Sequence, residues 1–203
     1  MCYSASYDSP VGLLTMGSDG KHLTGLWIQG QKYFGGENGG GIGNEPGPEP
    51  AVFGDARKWL DRYFSGRKPC PDELPLAPEG TEFQRLIWGL LCEIPYGTVT
   101  TYGALAKKAA ARMGRDTMSG QAVGGALAHN PVSIIIPCHR VVGAGGSLTG
   151  YAGGLDRKIW LLGHEGVDVS RFSVPAKGDG ALRGGYHGVE GWKNKVPVGQ
   201  SWE

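Results

Sequence analysis

Pro137-Cys138-His139-Arg140 places a thiol next to an imidazole and a guanidinium. Such neighbours favour thiolate over the ~8.5 pKa of a free cysteine, and thiolate is the form that attacks electrophilic carbon. Ile134-Ile135-Ile136 reads as a buried strand that Pro137 terminates, which puts the thiol at a strand end. The competing reading is a structural cysteine beside a salt bridge. A phosphatase loop is excluded, because the arginine it needs six positions after the cysteine is Ala144 here. A cysteine hydrolase would have to recruit His129, His164 or His187 and an orienting group from elsewhere in the chain. Cys2, Cys70 and Cys92 have no comparable surroundings and are assigned to packing or surface; with no paired metal spacing, all four cysteines read as free thiols.

Several elements must position Cys138. Extended runs over residues 2–7, 11–17 and 22–28, separated by turn-forming sets at Asp8-Ser9-Pro10 and Ser18-Asp19-Gly20, predict an antiparallel meander. Phe53, Ala56, Leu60, Tyr63 and Phe64 recur at helical spacing, and residues 67–80 read as an extended connection. Thr81 and Gln84 form a capping-box pattern ahead of an apolar stripe of Phe83, Leu86, Ile87, Leu90 and Leu91. Thr100 or Thr101 is placed to cap a short helix over Tyr102 to Ala110, and another helix runs from Ser119 to His129. These two helices, joined by a turn containing Gly114 and flanked by Lys107, Lys108, Arg112 and Arg115, predict a helix-turn-helix. The second helix carries Ala122, Gly124, Gly125, Ala126 and Ala128. Two adjacent glycines cost about 0.5–1 kcal/mol each relative to alanine, so a close approach is expected, either to another helix or to a nucleic-acid surface.

The fold class is therefore α+β: an N-terminal β-meander with a helix, then a mostly helical unit. The expected boundaries are 1–77, 78–172 and a glycine-rich tail over 173–203 in which Tyr186, Trp192 and Trp202 could each dock. Glycine supplies 37 of 203 residues, far above the ~7% norm, and the concentration at 35–50 predicts a linker or mobile loop. The net charge of +1 hides an asymmetry: residues 101–163 hold seven basic side chains against Asp116 and Asp156, a balance that suits a phosphate backbone. No apolar run approaches the ~20 residues of a membrane span, and the opening residues lack a secretory pattern, so cytoplasmic residence is expected.

The run from Asn130 through Pro137-Cys138-His139-Arg140-Val141-Val142 continues with Gly150-Tyr151-Ala152-Gly153-Gly154 and Trp160-Leu161-Leu162-Gly163-His164-Glu165-Gly166. It closely resembles the O6-alkylguanine-DNA alkyltransferases over about residues 81–168, and the first 65 residues look like that family's more variable, ribonuclease-H-like domain. The resemblance implies a monomer that repairs O6-alkylguanine in double-stranded DNA by one irreversible transfer of the alkyl group to Cys138. Action on O4-alkylthymine stays open. The resemblance further implies that His139 draws the thiol proton through a water, Glu165 orients and charges His139, and Asn130 holds the local backbone. Tyr102 becomes the proton donor to the base and helps to flip it; Tyr151, Ala152 and Val141 contact the extruded guanine. Gln121, Ala122, Gly124, Gly125 and Arg140, together with Tyr102, are the implied DNA contacts. Flipping is required because a duplex hides the reacting atom.

Zinc occurs in the N-terminal domain of some relatives, but Cys2, His22 and Cys70 do not compose a ligand set; no metal or other cofactor is expected, because the acceptor is the protein's own sulfur. Relatives that keep the fold but lack the cysteine only flag lesions, and Cys138 argues against that reading, as the cysteine pocket argues against a plain helix-turn-helix regulator. Gln121 stands where the family often has an arginine that fills the gap left by the flipped base. Gln121→Arg should therefore raise DNA affinity and steepen its dependence on salt in a titration; an unchanged slope and affinity would contradict this.

Overall fold

The computed structural model describes residues 2–36 and 39–174. Strands β1 (Tyr3–Tyr7), β2 (Leu14–Ser18) and β3 (Leu23–Ile28) form the expected antiparallel meander in the order β1-β2-β3, with Tyr7 opposite Leu14 and Leu14 opposite Ile28. Helix α1 (Ala51–Phe64) packs on β2 and β3 through Val52, Phe53, Ala56, Trp59, Leu60 and Tyr63, all buried at helical spacing. Strand β3 would leave an open edge, and the second half of the chain covers it. Leu23 bonds to Pro75 and Ala77, while the Leu26 amide donates to Pro131 O at 2.8 Å and Leu26 O accepts from Ser133 N at 2.8 Å.

Helix α2 (Glu82–Cys92) begins with the capping box read from sequence: Gln84 N donates to the Thr81 hydroxyl at 3.2 Å, and Thr81 N donates to Gln84 Oε1 at 2.7 Å. Strand β4 (Thr100–Thr101) leads into α3 (Tyr102–Arg112), capped by Thr101, and Ser119 caps α4 (Gly120–Ala128). Helices α3 and α4 pack on each other and on α2. Strand β5 (Val141–Val142) pairs in parallel with β4, and α5 (Leu155–His164) follows. One apolar core cluster joins β2, β3 and α1 to α2, α3 and α4.

Two sequence expectations are corrected. Ile134-Ile135-Ile136 is not a strand: the residues form tight turns, with Ile134 at φ 72° and Cys138 N bonded to Ile136 O. All three isoleucines are buried, so a continuous apolar run does not distinguish a strand from an interior turn. Cys138 accordingly opens a 3-10 turn over Cys138–Arg140 rather than ending a strand. Among the described residues of 35–50, the glycine-rich segment is also no free linker. Ser4 Oγ donates to Gly43 O at 2.7 Å, and the Trp27 indole lies in a slot where a Cβ on Gly25 or Gly41 would stand 1.9 or 2.5 Å from the ring. These glycines let backbone approach an aromatic face. Tyr186, Trp192 and Trp202 lie outside the described residues. Among the described residues no helix is long and apolar enough to cross a membrane.

Candidate active site

The turn at Cys138 is held by Asn130 at the end of α4. Its Nδ2 donates to Ile136 O at 2.9 Å and to Cys138 Sγ at 3.2 Å, while its Oδ1 accepts from Val132 N at 3.1 Å. One amide thus fixes both sides of the turn and touches the sulfur. Cys138 is only 5% exposed, and burial pushes its thiol up, against the Asn130 hydrogen bond and the Lys158 charge, which pull it down. The sequence argument expected thiolate from adjacent His139 and Arg140. The folded thiol is instead neutral at rest, because burial prevails and the Arg140 charge is directed elsewhere.

That direction is toward Glu165. Arg140 Nε donates to Glu165 Oε2 at 2.8 Å, Nη2 to Oε1 at 3.0 Å, and Nη1 to Ile94 O at 2.6 Å. Arg140 is buried with its donors spent inside the protein, so the expectation that it contacts DNA is also corrected. His139 is fully buried, and its Nε2 lies 2.7 Å from Glu165 Oε1. Burial disfavours ionisation of Glu165, yet His139 and Arg140 outweigh it and hold the carboxyl well below the usual carboxylate range. An ionised carboxylate only accepts, so His139 Nε2 carries the ring proton and Nδ1 carries the lone pair. Burial lowers the His139 pKa despite the Glu165 charge and keeps the ring neutral. Nδ1 is buried and has no hydrogen-bond partner among the described residues, which leaves it open for a bridging water.

The structure adds two cations that the sequence reading did not place at the site. Lys158 on α5 is fully buried, and its Nζ donates to Val141 O at 2.6 Å and Thr149 O at 2.9 Å. Desolvation outweighs the attraction of Cys138 and lowers its pKa to about 8. A lysine next to Ile159 and one turn before Leu161 and Leu162, on the buried face of α5, is the sequence signal that could have revealed it. Arg157 clamps three carbonyls: Val11 O at 2.9 Å, Gln29 O at 2.9 Å and Gly153 O at 3.1 Å. It ties the segment 150–154 to the loops that flank β2 and β3, as does Lys32 N, which donates to Ala152 O at 3.0 Å.

Tyr102, at the start of α3, donates to Gly150 O at 3.3 Å and so touches the same segment. Tyr151 has a buried hydroxyl with no partner among the described residues, and its ring lies where a Cβ on Gly153 would be 2.7 Å away. Val141 does not line an open face: its side chain is buried and its carbonyl is held by Lys158. Gln121, Ala122 and Gly125 share the exposed side of α4, while Val123, Ala126 and Leu127 face the core. Internal packing does not require glycine there. A Cβ on Gly124 would meet Tyr102 at an ordinary 3.8 Å, and one on Gly125 would meet nothing. Of the seven basic residues in 101–163, Arg140, Arg157 and Lys158 are spent internally and Arg112 pairs with Glu93; Lys107, Lys108 and Arg115 are exposed on the α3–α4 side.

Among the described residues no cluster of histidine, cysteine and carboxylates suits a metal ion. The arrangement is a buried thiol, an amide donor on the sulfur, a neutral imidazole backed by a carboxylate, and an ammonium acting on the sulfur. It can deprotonate the thiol on demand and hold the resulting charge. Lys158→Met should slow alkylation of Cys138 by iodoacetamide about tenfold below pH 8. The gap between variant and wild type should close as pH rises past about 8, where Lys158 loses its charge. Equal rates at pH 7 would remove Lys158 from the account.

Two family models match the chain: the 6-O-methylguanine DNA methyltransferase ribonuclease-like domain over residues 2–78 and its DNA binding domain over residues 82–167. The methylated-DNA–protein-cysteine methyltransferase of Haemophilus influenzae is 41% identical over 166 residues, covering 79% of this chain and 84% of that protein. The protein of the same name from Methanosarcina acetivorans is 41% identical, with 81% and 98% covered. An OGT of Mycobacterium tuberculosis, solved in complex with DNA, superposes with a TM-score of 0.68 at 38% identity, covering 86% of this chain and 96% of that one. With two domain models spanning both halves of the fold and relatives 41% identical over about four-fifths of the chain, the chain belongs to the 6-O-methylguanine DNA methyltransferase family.

Proposed function

We propose that the chain repairs O6-alkylguanine in double-stranded DNA as a monomer, by one transfer of the alkyl group to Cys138. The carrying observation is the pair of buried contacts on adjacent residues, Asn130 to Cys138 and His139 to Glu165. In this reading His139 Nδ1 takes the thiol proton through a water, and the sulfur attacks the alkyl carbon. A carbon–sulfur bond forms as the carbon–oxygen bond to guanine breaks. The electron pair passes to O6 and the ring, which takes a proton from the Tyr102 hydroxyl. The thioether has no route back, so the protein is spent. Asn130 and Lys158 oppose the burial penalty on the thiolate while it exists.

The exposed side of α4, with Gln121, Ala122 and Gly125, is the surface we assign to the DNA groove, and to Tyr151 and Ala152 we assign the cover over a flipped base. Lys107, Lys108 and Arg115 supply the phosphate contacts in place of Arg140. The sequence division at 77 and 172 is carried into this reading, with the first unit as support and the second as the reactive and DNA-binding unit. The cytoplasm is the proposed compartment, since the prokaryotic relatives keep their DNA there.

Incubation with duplex DNA containing O6-methylguanine should add one methyl group to the peptide holding Cys138, read by intact-mass and peptide analysis. Cys138→Ala should lose the adduct and keep lesion binding. A methyl-free Cys138 with tight lesion binding would favour a damage-flagging module instead. Gly125→Leu has open space on the protein side, so its melting temperature should not fall, while DNA affinity drops at least about tenfold from the lost close approach. Unchanged affinity would remove α4 from the interface.

A further inference from the structure

The relay rests on a residue that the second unit does not contain. Tyr63, in the last turn of α1, lies fully buried and donates its hydroxyl to Glu165 Oε1 at 2.9 Å across 102 residues of sequence. The same oxygen accepts the His139 Nε2 proton at 2.7 Å. We propose that Tyr63 is a positioning residue of the alkyl-transfer relay: by sharing Glu165 Oε1 with His139, its phenol sets how strongly the carboxylate draws on the imidazole, and through it how good a base His139 is. This rests on the assignment of His139 as the base in the function proposed above.

The placement is held from several sides. The Tyr63 ring stacks on Trp59, with centroids 5.5 Å apart at 9°, and meets Tyr96 edge-on at 6.0 Å. Its own carbonyl accepts from His164 Nε2 at 2.7 Å, so consecutive residues at the end of α5 bond to the backbone and side chain of one tyrosine. Packing therefore fixes the hydroxyl's aim before any hydrogen bond is counted. A phenol needing only a partner to be buried could have used a carbonyl; this one uses the reactive carboxylate.

The electrostatic direction follows from the donors around Glu165. Oε1 takes Tyr63, His139 and Arg140 Nη2; Oε2 takes Arg140 Nε and the Gly97 amide at 3.2 Å. Tyr96 and Tyr151 also act on the carboxylate, and Lys158 acts on the His139 ring. Each donor stabilises the ionised carboxylate and lowers its affinity for the imidazole proton. Burial and the Glu165 charge keep the Tyr63 phenol protonated, so it acts as a fixed donor at neutral pH. Removing it leaves Glu165 more basic and His139 more easily protonated.

The test uses the full chain and single-turnover methyl transfer from duplex DNA carrying O6-methylguanine, followed by mass at Cys138 from about pH 5 to pH 9. Tyr63→Phe should move the midpoint of the acid limb upward by about half a unit to one unit. Tyr63→3-fluorotyrosine keeps the shape and strengthens the donor, so its midpoint should move downward; it also keeps the test alive if the phenylalanine variant fails to fold. Tyr7→Phe removes a hydroxyl that donates to Asp61 on the same helix, away from the relay, and should leave the profile unmoved. A midpoint that stays fixed in both Tyr63 variants, even with the rate lowered at every pH, would make Tyr63 a packing residue and overturn the proposal. A wild-type profile with methylated Cys138 but no acid limb would instead overturn His139 as the base, a failure distinct from that of Tyr63 alone.

Discussion

A single buried carboxylate organises this molecule. Glu165 receives hydrogen bonds from a phenol, an imidazole, both sides of a guanidinium and a backbone amide. Bringing one unpaired charge into such an interior costs several kcal/mol, so each donor is needed to offset desolvation as well as to shape the site. The donors come from α1, from the turn before β4 and from the turn at Cys138. Satisfying Glu165 therefore requires that both halves of the fold be docked.

The same dependence recurs on the other side of Cys138. The edge of β3 donates to Pro131 and accepts from Ser133, a few positions before the thiol, and Arg157 grips carbonyls of both units. The N-terminal sheet thus acts as a template that holds the turn containing Cys138 and the segment 150–154 in register. A helix-turn-helix alone could present a surface to DNA, but it would not hold a thiol against an amide and a base.

With Cys138 as the proposed nucleophile, burial also explains how it avoids reacting indiscriminately. A standing thiolate on the surface would meet any electrophile, whereas this thiol is shielded and raised, with its base neutral and directed by Glu165. On the function proposed above, reactivity then depends on a substrate that reaches the sulfur and on a proton leaving through His139. Sequestering Arg140 belongs to the same economy: its charge stabilises the carboxylate instead of the thiolate.

Local chemistry was legible in the sequence wherever neighbours along the chain decide the outcome. The capping box at Thr81, a cap from Thr100 or Thr101, the meander, and the helical stripe of α1 follow from periodicity and hydrogen-bonding side chains within a few residues. The residues of the reactive turn and Glu165 were legible through their resemblance to a family pattern. Contacts between distant segments were not. No spacing rule announces that Tyr63 meets Glu165, that the Trp27 ring lies between Gly25 of β3 and Gly41 of the 35–50 segment, or that three isoleucines turn instead of extending. Residue types and order settled which groups were available; only tertiary packing decided where the charge of Arg140 would go and whether the thiol would rest as thiolate, because desolvation and long-range pairing depend on what surrounds a group in space and not on what adjoins it in the chain.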